Sequence, residues 1–73
     1  MVKPTSVTNT VRARRDTTGM TQAELAERIG VTRQTLIAIE QGKYSPSLET
    51  AFRIAKALGT TLDDVFQYPE ADA

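Results

Sequence analysis

Residues 21–42 read TQAELAERIGVTRQTLIAIEQG, and the punctuation of this stretch decides the fold. Thr21 is a favoured N-cap, and Glu24 three residues on completes the pattern in which side chain and backbone cap each other. A helix is therefore predicted from Gln22 to Ile29. Gly30 stands where that helix must end in a left-handed backbone, which glycine adopts without steric cost. Thr32 can cap a second helix, Arg33 to Gln41, which Gly42 can close in the same way. Leu25, Ala26 and Ile29 in the first helix, with Ala23 beside them, and Leu36 and Ile39 in the second recur at helical spacing. Gln22, Glu24, Glu27 and Arg28 form the wet side of the first.

Outward from this pair, residues 1–8 are polar, contain Pro4 and are read as a flexible N-terminal arm. A helix is predicted to start near Thr8 or Asn9 and run to Thr17 or Thr18, with Val7 and Val11 on one face and Gly19 at its end. On the other side, Gly42 to Ser47 (GKYSPS) is a loop in which Pro46 sets a turn. Ser47 then caps a fourth helix from about Leu48 to Leu58. Leu48, Ala51, Phe52, Ile54, Ala55 and Leu58 give it a wide apolar face and mark it as the central buried helix. Gly59 ends it. Thr61 caps a last helix, Leu62 to about Gln67, whose first turn carries Asp63 and Asp64 at the positive end of the helix dipole. Residues 68–73 are an acidic tail. The expectation is an all-α domain over residues 9–67, with five helices, no strands and short connections.

Seventy-three residues hold one small domain, and 40% of them are hydrophobic, enough for a modest core. There is no cysteine and no histidine, which excludes a disulfide framework and the usual Cys/His zinc site. No cofactor is expected. No apolar run approaches the roughly 20 residues of a membrane span, so no membrane partner and a cytoplasmic location are the default. The formal net charge is zero but unevenly placed. Residues 1–43 carry seven Lys/Arg against four Asp/Glu, and residues 44–73 carry two against five. A positive face toward nucleic acid at one end fits that asymmetry. Nothing points to an enzyme: there is no glycine-rich phosphate loop, and the adjacent carboxylates Asp63 and Asp64 are explained by a helix start.

Two capped helices around a glycine turn match the helix-turn-helix used in DNA recognition, whose second helix presents its first turn to base edges. In that turn, Gln34 carries an amide suited to the N6/N7 edge of adenine, and Arg33 a planar fork suited to guanine O6/N7 or to a phosphate. Gln22 stands at a helix start, where free backbone N–H groups attract phosphate. Lys43, Tyr44 and the hydroxyls of Thr32 and Thr35 are further phosphate candidates. Tyr44 is equally suited to packing on the fourth helix. Ile37 fits a thymine methyl, a neighbouring subunit or open solvent, and these stay undivided at this point.

The string from Met20 to Phe66 resembles the Cro/C1-type helix-turn-helix family of phage repressors and short bacterial regulators. The resemblance rests on Thr21-Gln22 with Leu25-Ala26, Gly30, Arg33-Gln34-Thr35, Ile39-Glu40-x-Gly42, Pro46-Ser47 and Ala55-x-x-Leu58-Gly59. It implies a compact, lambda-repressor-like five-helix domain, with the third helix in the major groove and the second crossing above the backbone. It further implies that Gln22 contacts a phosphate and braces Gln34, that Arg33 and Ala38 also face base edges, and that Lys43 faces the DNA backbone. An ion pair between Arg15 and Glu40 is implied as a structural tie. The chain departs from the family at Arg14, a position often apolar in relatives, and at Ile37 and Ala38, positions often polar. The resemblance implies a regulator, a repressor, that binds a double-stranded DNA operator as a homodimer, since a single unit of this size makes few base contacts. Leu62, Val65, Phe66 and Tyr68 are the dimer-interface candidates. The alternative is an antitoxin or adaptor whose main role is to bind a partner protein.

Overall fold

The computed structural model describes residues 5–69; the parts of the expected arm and acidic tail at residues 1–4 and 70–73 lie outside the described residues. In chain order the elements are β1 (Thr8–Asn9), α1 (Val11–Thr18), α2 (Gln22–Ile29), α3 (Arg33–Glu40), α4 (Leu48–Ala57), α5 (Leu62–Val65) and β2 (Phe66–Gln67).

The caps operate as their residue types require. Thr21 accepts the Glu24 N–H while the Glu24 carboxylate accepts the Thr21 N–H, a complete capping box. Thr32, Ser47 and Thr61 each accept the N–H three residues on, at the starts of α3, α4 and α5. Between α2 and α3, Gly30 takes φ 76°, and the Val31 N–H then reaches back to the Ala26 carbonyl at 3.0 Å. That bond closes the end of α2 and aims the chain into α3 within three residues.

The core is the sum of the inward stripes. Leu25 and Ile29 of α2, Leu36 and Ile39 of α3, Ile54 of α4, Val11 of α1 and Val65 of α5 are all buried to within 1% of complete. Each such side chain contributes roughly 1.5–3 kcal/mol of burial. α2 packs against both α3 and α4, and α4 against α5. Ala26 and Ala55 are buried among them and keep these contacts close.

Three expectations about the ends and faces need correction. The ends of the domain are not helical: Thr8 pairs with Gln67 and Asn9 with Phe66 in a short antiparallel ribbon. α1 therefore begins at Val11, because the Asn9 side chain accepts the Val11 N–H at 3.0 Å and the Thr10 N–H donates to the Val65 carbonyl at 2.8 Å. Val7 precedes this helix and is not on its inner face. α5 stops at Val65, since a single turn has little cooperativity of its own and Phe66 is drawn into extended backbone by the ribbon. Finally, α4 is buried on its inner side alone: Leu48 and Phe52 are 67% and 51% exposed. They lie outside the face centred on Ile54 and Leu58, Phe52 on the far side of the helix.

Substituting Gly30→Ala forces a side chain into a left-handed backbone and sets its Cβ 3.4 Å from the Arg53 guanidinium. It should cost about 1–2 kcal/mol and lower Tm by several degrees in a thermal melt followed by circular dichroism. The Glu24 carboxylate is held below its ordinary value chiefly by the Thr21 backbone N–H, and Asp64 chiefly by the Thr60 hydroxyl at 2.7 Å. Both bind protons less tightly folded than unfolded, so their contribution is complete above the ordinary carboxylate range and is lost as pH falls through their folded values. Tm should hold from pH 7 to about pH 5 and decline below about pH 4, and Thr60→Val should reduce that decline.

Candidate nucleic-acid interface

The first turn of α3 emerges from the Thr32 cap with its polar side chains in solvent. Thr32, Arg33 and Gln34 are exposed, Thr35 is half-buried, and the Thr32 hydroxyl donates to that of Thr35 at 2.9 Å. Further along α3, Ile37 and Ala38 are half-buried between core and surface. Ala38 has no donor or acceptor in its side chain, so its one means of contact with a base is apolar, as with a thymine methyl. Lys43 is exposed after α3, and Tyr44 is 44% exposed rather than buried on α4.

Behind this surface runs a continuous chain of polar side chains. Arg33 Nη2 donates to Gln22 Oε1 at 3.2 Å, and Gln22 Nε2 donates to Glu40 Oε1 at 3.2 Å. Glu40 accepts in turn from Arg15, with Nε to Oε2 at 2.8 Å and Nη2 to Oε1 at 3.4 Å. Arg15 also donates to the Met20 carbonyl at 2.9 Å and lies 3.5 Å from the Asp16 carboxylate. The two charged partners at the heart of this chain are deeply placed: the side chains are 10% exposed for Arg15 and 4% for Glu40. The hydrogen bond to Glu40 holds the Arg15 guanidinium above its ordinary value, against the desolvation that works the other way. Among the described residues no buried side-chain nitrogen or oxygen is left without a partner.

This geometry revises one expected contact. Gln22 braces Arg33, not Gln34. Arg33 is the residue whose side chain returns along α3 toward the start of α2, whereas the Gln34 amide has no hydrogen-bond partner among the described residues. One of the dimer-interface candidates is also removed. Val65 is fully buried in the domain's own core, while Leu62 and Phe66 are half-buried and Tyr68 is 70% exposed. Leu62, Phe66 and Tyr68 line one open apolar groove with Val7, Pro46 and Leu48.

Asn9, expected only as a candidate start of the first helix, has a tertiary role. Its Oδ1 accepts the Val11 N–H just ahead of α1 and its Nδ2 donates to the Ile39 carbonyl at 2.8 Å, which ties the end of α3 to the start of α1. An asparagine two residues before a helical valine is a usable signal for the first bond. The second spans 30 positions and has no local signature.

Glu40→Ala takes from the buried Arg15 guanidinium its hydrogen-bonded carboxylate and leaves only the exposed Asp16 carboxylate at 3.5 Å, and should destabilise the domain by about 3–5 kcal/mol in urea titrations. Arg15→Met combined with Glu40→Leu removes both charges together and should recover most of that loss.

The helix-turn-helix family profile matches residues 11–65, all of α1 to α5. An uncharacterized HTH-type transcriptional regulator of Methanothermobacter thermautotrophicus is 56% identical over 64 residues, which cover 86% of this chain and 93% of that one. Among solved structures, the clp gene regulator ClgR from Corynebacterium glutamicum superposes with a TM-score of 0.71 at 33% identity, over 74% of this chain and 57% of that one. The SinR protein in a SinR–SinI complex superposes with a TM-score of 0.66 at 26% identity, over 71% of this chain and 52% of that one. The chain thus spans little more than half the length of these solved structures. The relatives matched by sequence are named HTH-type transcriptional regulators, and the solved hydroxypropylphosphonic acid epoxidase from S. wedmorenis is matched over only 28% of its chain. With its two capped helices, glycine turn and exposed first turn of α3 matched along their whole length, this chain belongs to the Cro/C1-type helix-turn-helix family of transcriptional regulators.

Proposed function

We propose that this protein is a sequence-specific double-stranded DNA-binding repressor that reads an operator through the major groove with α3, as a homodimer in the cytoplasm and without a cofactor. The observation that carries this reading is the pair Arg33 and Gln34. They project into solvent from the capped first turn of α3, and Arg33 is already held by Gln22. Arg33 suits guanine and Gln34 suits adenine, with Ala38 against a thymine methyl. Gln22, Thr32, Thr35, Lys43 and Tyr44 surround them as phosphate contacts. Gln22 keeps one side-chain N–H free for that purpose, its other polar groups being taken by Glu40 and Arg33. Repression needs no second activity, because a bound domain excludes other proteins from the same DNA.

The homodimer reading draws on Leu62, Phe66 and Tyr68, which with Leu48 present an open apolar groove on the domain. The domain would span residues 9–67, with residues 1–8 as arm and 68–73 as tail. The same groove supports the alternative, an antitoxin or adaptor that binds a partner protein, and the SinR–SinI complex is a neighbour in which such a regulator meets a second protein.

Selection of bound sites from random duplex DNA, read beside the mass in solution, tests the reading. The chain should enrich a two-fold symmetric site and run as a dimer, and its DNA retention should fall steeply with added salt. Arg33→Ala and Gln34→Ala should each weaken binding to the selected site by about tenfold or more while leaving Tm nearly unchanged. A chain that enriches no sequence but co-purifies with a second protein would favour the alternative.

A further inference from the structure

The chain Arg33–Gln22–Glu40–Arg15 has a direction, and the direction comes from its innermost member. Both Glu40 carboxylate oxygens accept from the Arg15 guanidinium, so Glu40 faces Gln22 as an acceptor; Arg33 is a guanidinium, so it only donates. Gln22 lies between them with an amide that can do either. Only one orientation satisfies both neighbours: Nε2 toward Glu40 and Oε1 toward Arg33. The flipped amide would set oxygen against carboxylate and N–H against guanidinium, two repulsive contacts in place of two bonds. Glu40 therefore decides which end of Gln22 faces the exposed first turn of α3, although its own side chain is 4% exposed.

We propose that Glu40 is a specificity-positioning residue: by orienting the Gln22 amide it presents an acceptor that holds the Arg33 guanidinium at the angle of its base contact. This rests on the assignment of Arg33 to base reading made above. The consequence is selective. An acceptor at Gln22 Oε1 engages one N–H of Arg33 and leaves the rest of the fork for the bidentate guanine edge, at reduced rotamer cost. Gln34, with no such brace, should be indifferent to Glu40.

Two measurements on the full chain test this. In the free protein, the side-chain amide signals of Gln22 in 15N–1H spectra should be displaced from those of a solvated glutamine. They should move to the solvated position in the Arg15→Met, Glu40→Leu double variant, which replaces the ion pair by apolar groups so that the fold is retained. On the selected DNA, that double variant should lose about tenfold of the preference for guanine at the position assigned to Arg33, with preferences elsewhere unchanged. Introduced into a Gln22→Met background, the same double substitution should change the base preference no further. Unmoved Gln22 signals would overturn the inference, and so would an equal loss of preference in both backgrounds. A wild-type chain that selects no DNA sequence, with Gln22 signals displaced as expected, would instead sink the DNA-reading assignment on which the inference rests.

Discussion

The Glu40 side chain is almost entirely withdrawn from water, and a carboxylate in that position must be matched by donors. It is matched by donors from two other helices. Arg15 comes from α1 and Gln22 from the first position of α2, so three elements meet at one charged group at the end of α3. Removing one donor does not simply delete a bond; it leaves a buried carboxylate oxygen short of a partner. The angle at which α2 meets α3 is thus set from both ends, by the Gly30 turn at one and by this polar junction at the other. The exposed first turn of α3 inherits its placement from the two.

Local chemistry accounts for much of the rest. Each of α1, α2 and α3 is eight residues long, too short to persist as an isolated helix. Side-chain caps and glycine exits make the helix boundaries sharp, and the apolar stripes make the helices adhere. The surface that carries Arg33, Gln34 and Lys43 is exposed and its side chains do not contribute to this core. The neutral net charge of the chain is no obstacle, because the field a nucleic acid meets is local, and the charge of Glu40 is offset by Arg15.

Away from that surface, the two ends of the domain are tied by the ribbon of Thr8–Asn9 with Phe66–Gln67. The ribbon leaves Phe66 and Tyr68 beside Leu48, and so creates the apolar groove from residues contributed by the loop, α4, α5 and β2. No single helix face contains it.

The helix pair, its caps, the Gly30 turn and the exposed Arg33 and Gln34 were legible in residues 21–42, because capping and helical periodicity act over three or four positions and leave a mark at that spacing. The Arg15–Glu40 tie entered through family resemblance, since nothing local relates positions 25 apart. Three features were decided by tertiary structure alone. The ribbon formed because the Val65 carbonyl and the Thr10 N–H meet across the domain. Leu48 and Phe52 were left outside because the packing of α5 and α2 uses only one side of α4. Gln22 turned to Arg33, not Gln34, because Glu40 dictates its amide and the crossing of α2 over α3 dictates its reach. The sequence by itself determined where α2, α3 and α4 begin and, to within a residue, end; which polar groups meet between helices was decided only when packing brought distant donors and acceptors within 3 Å or so of each other, where water could no longer serve them.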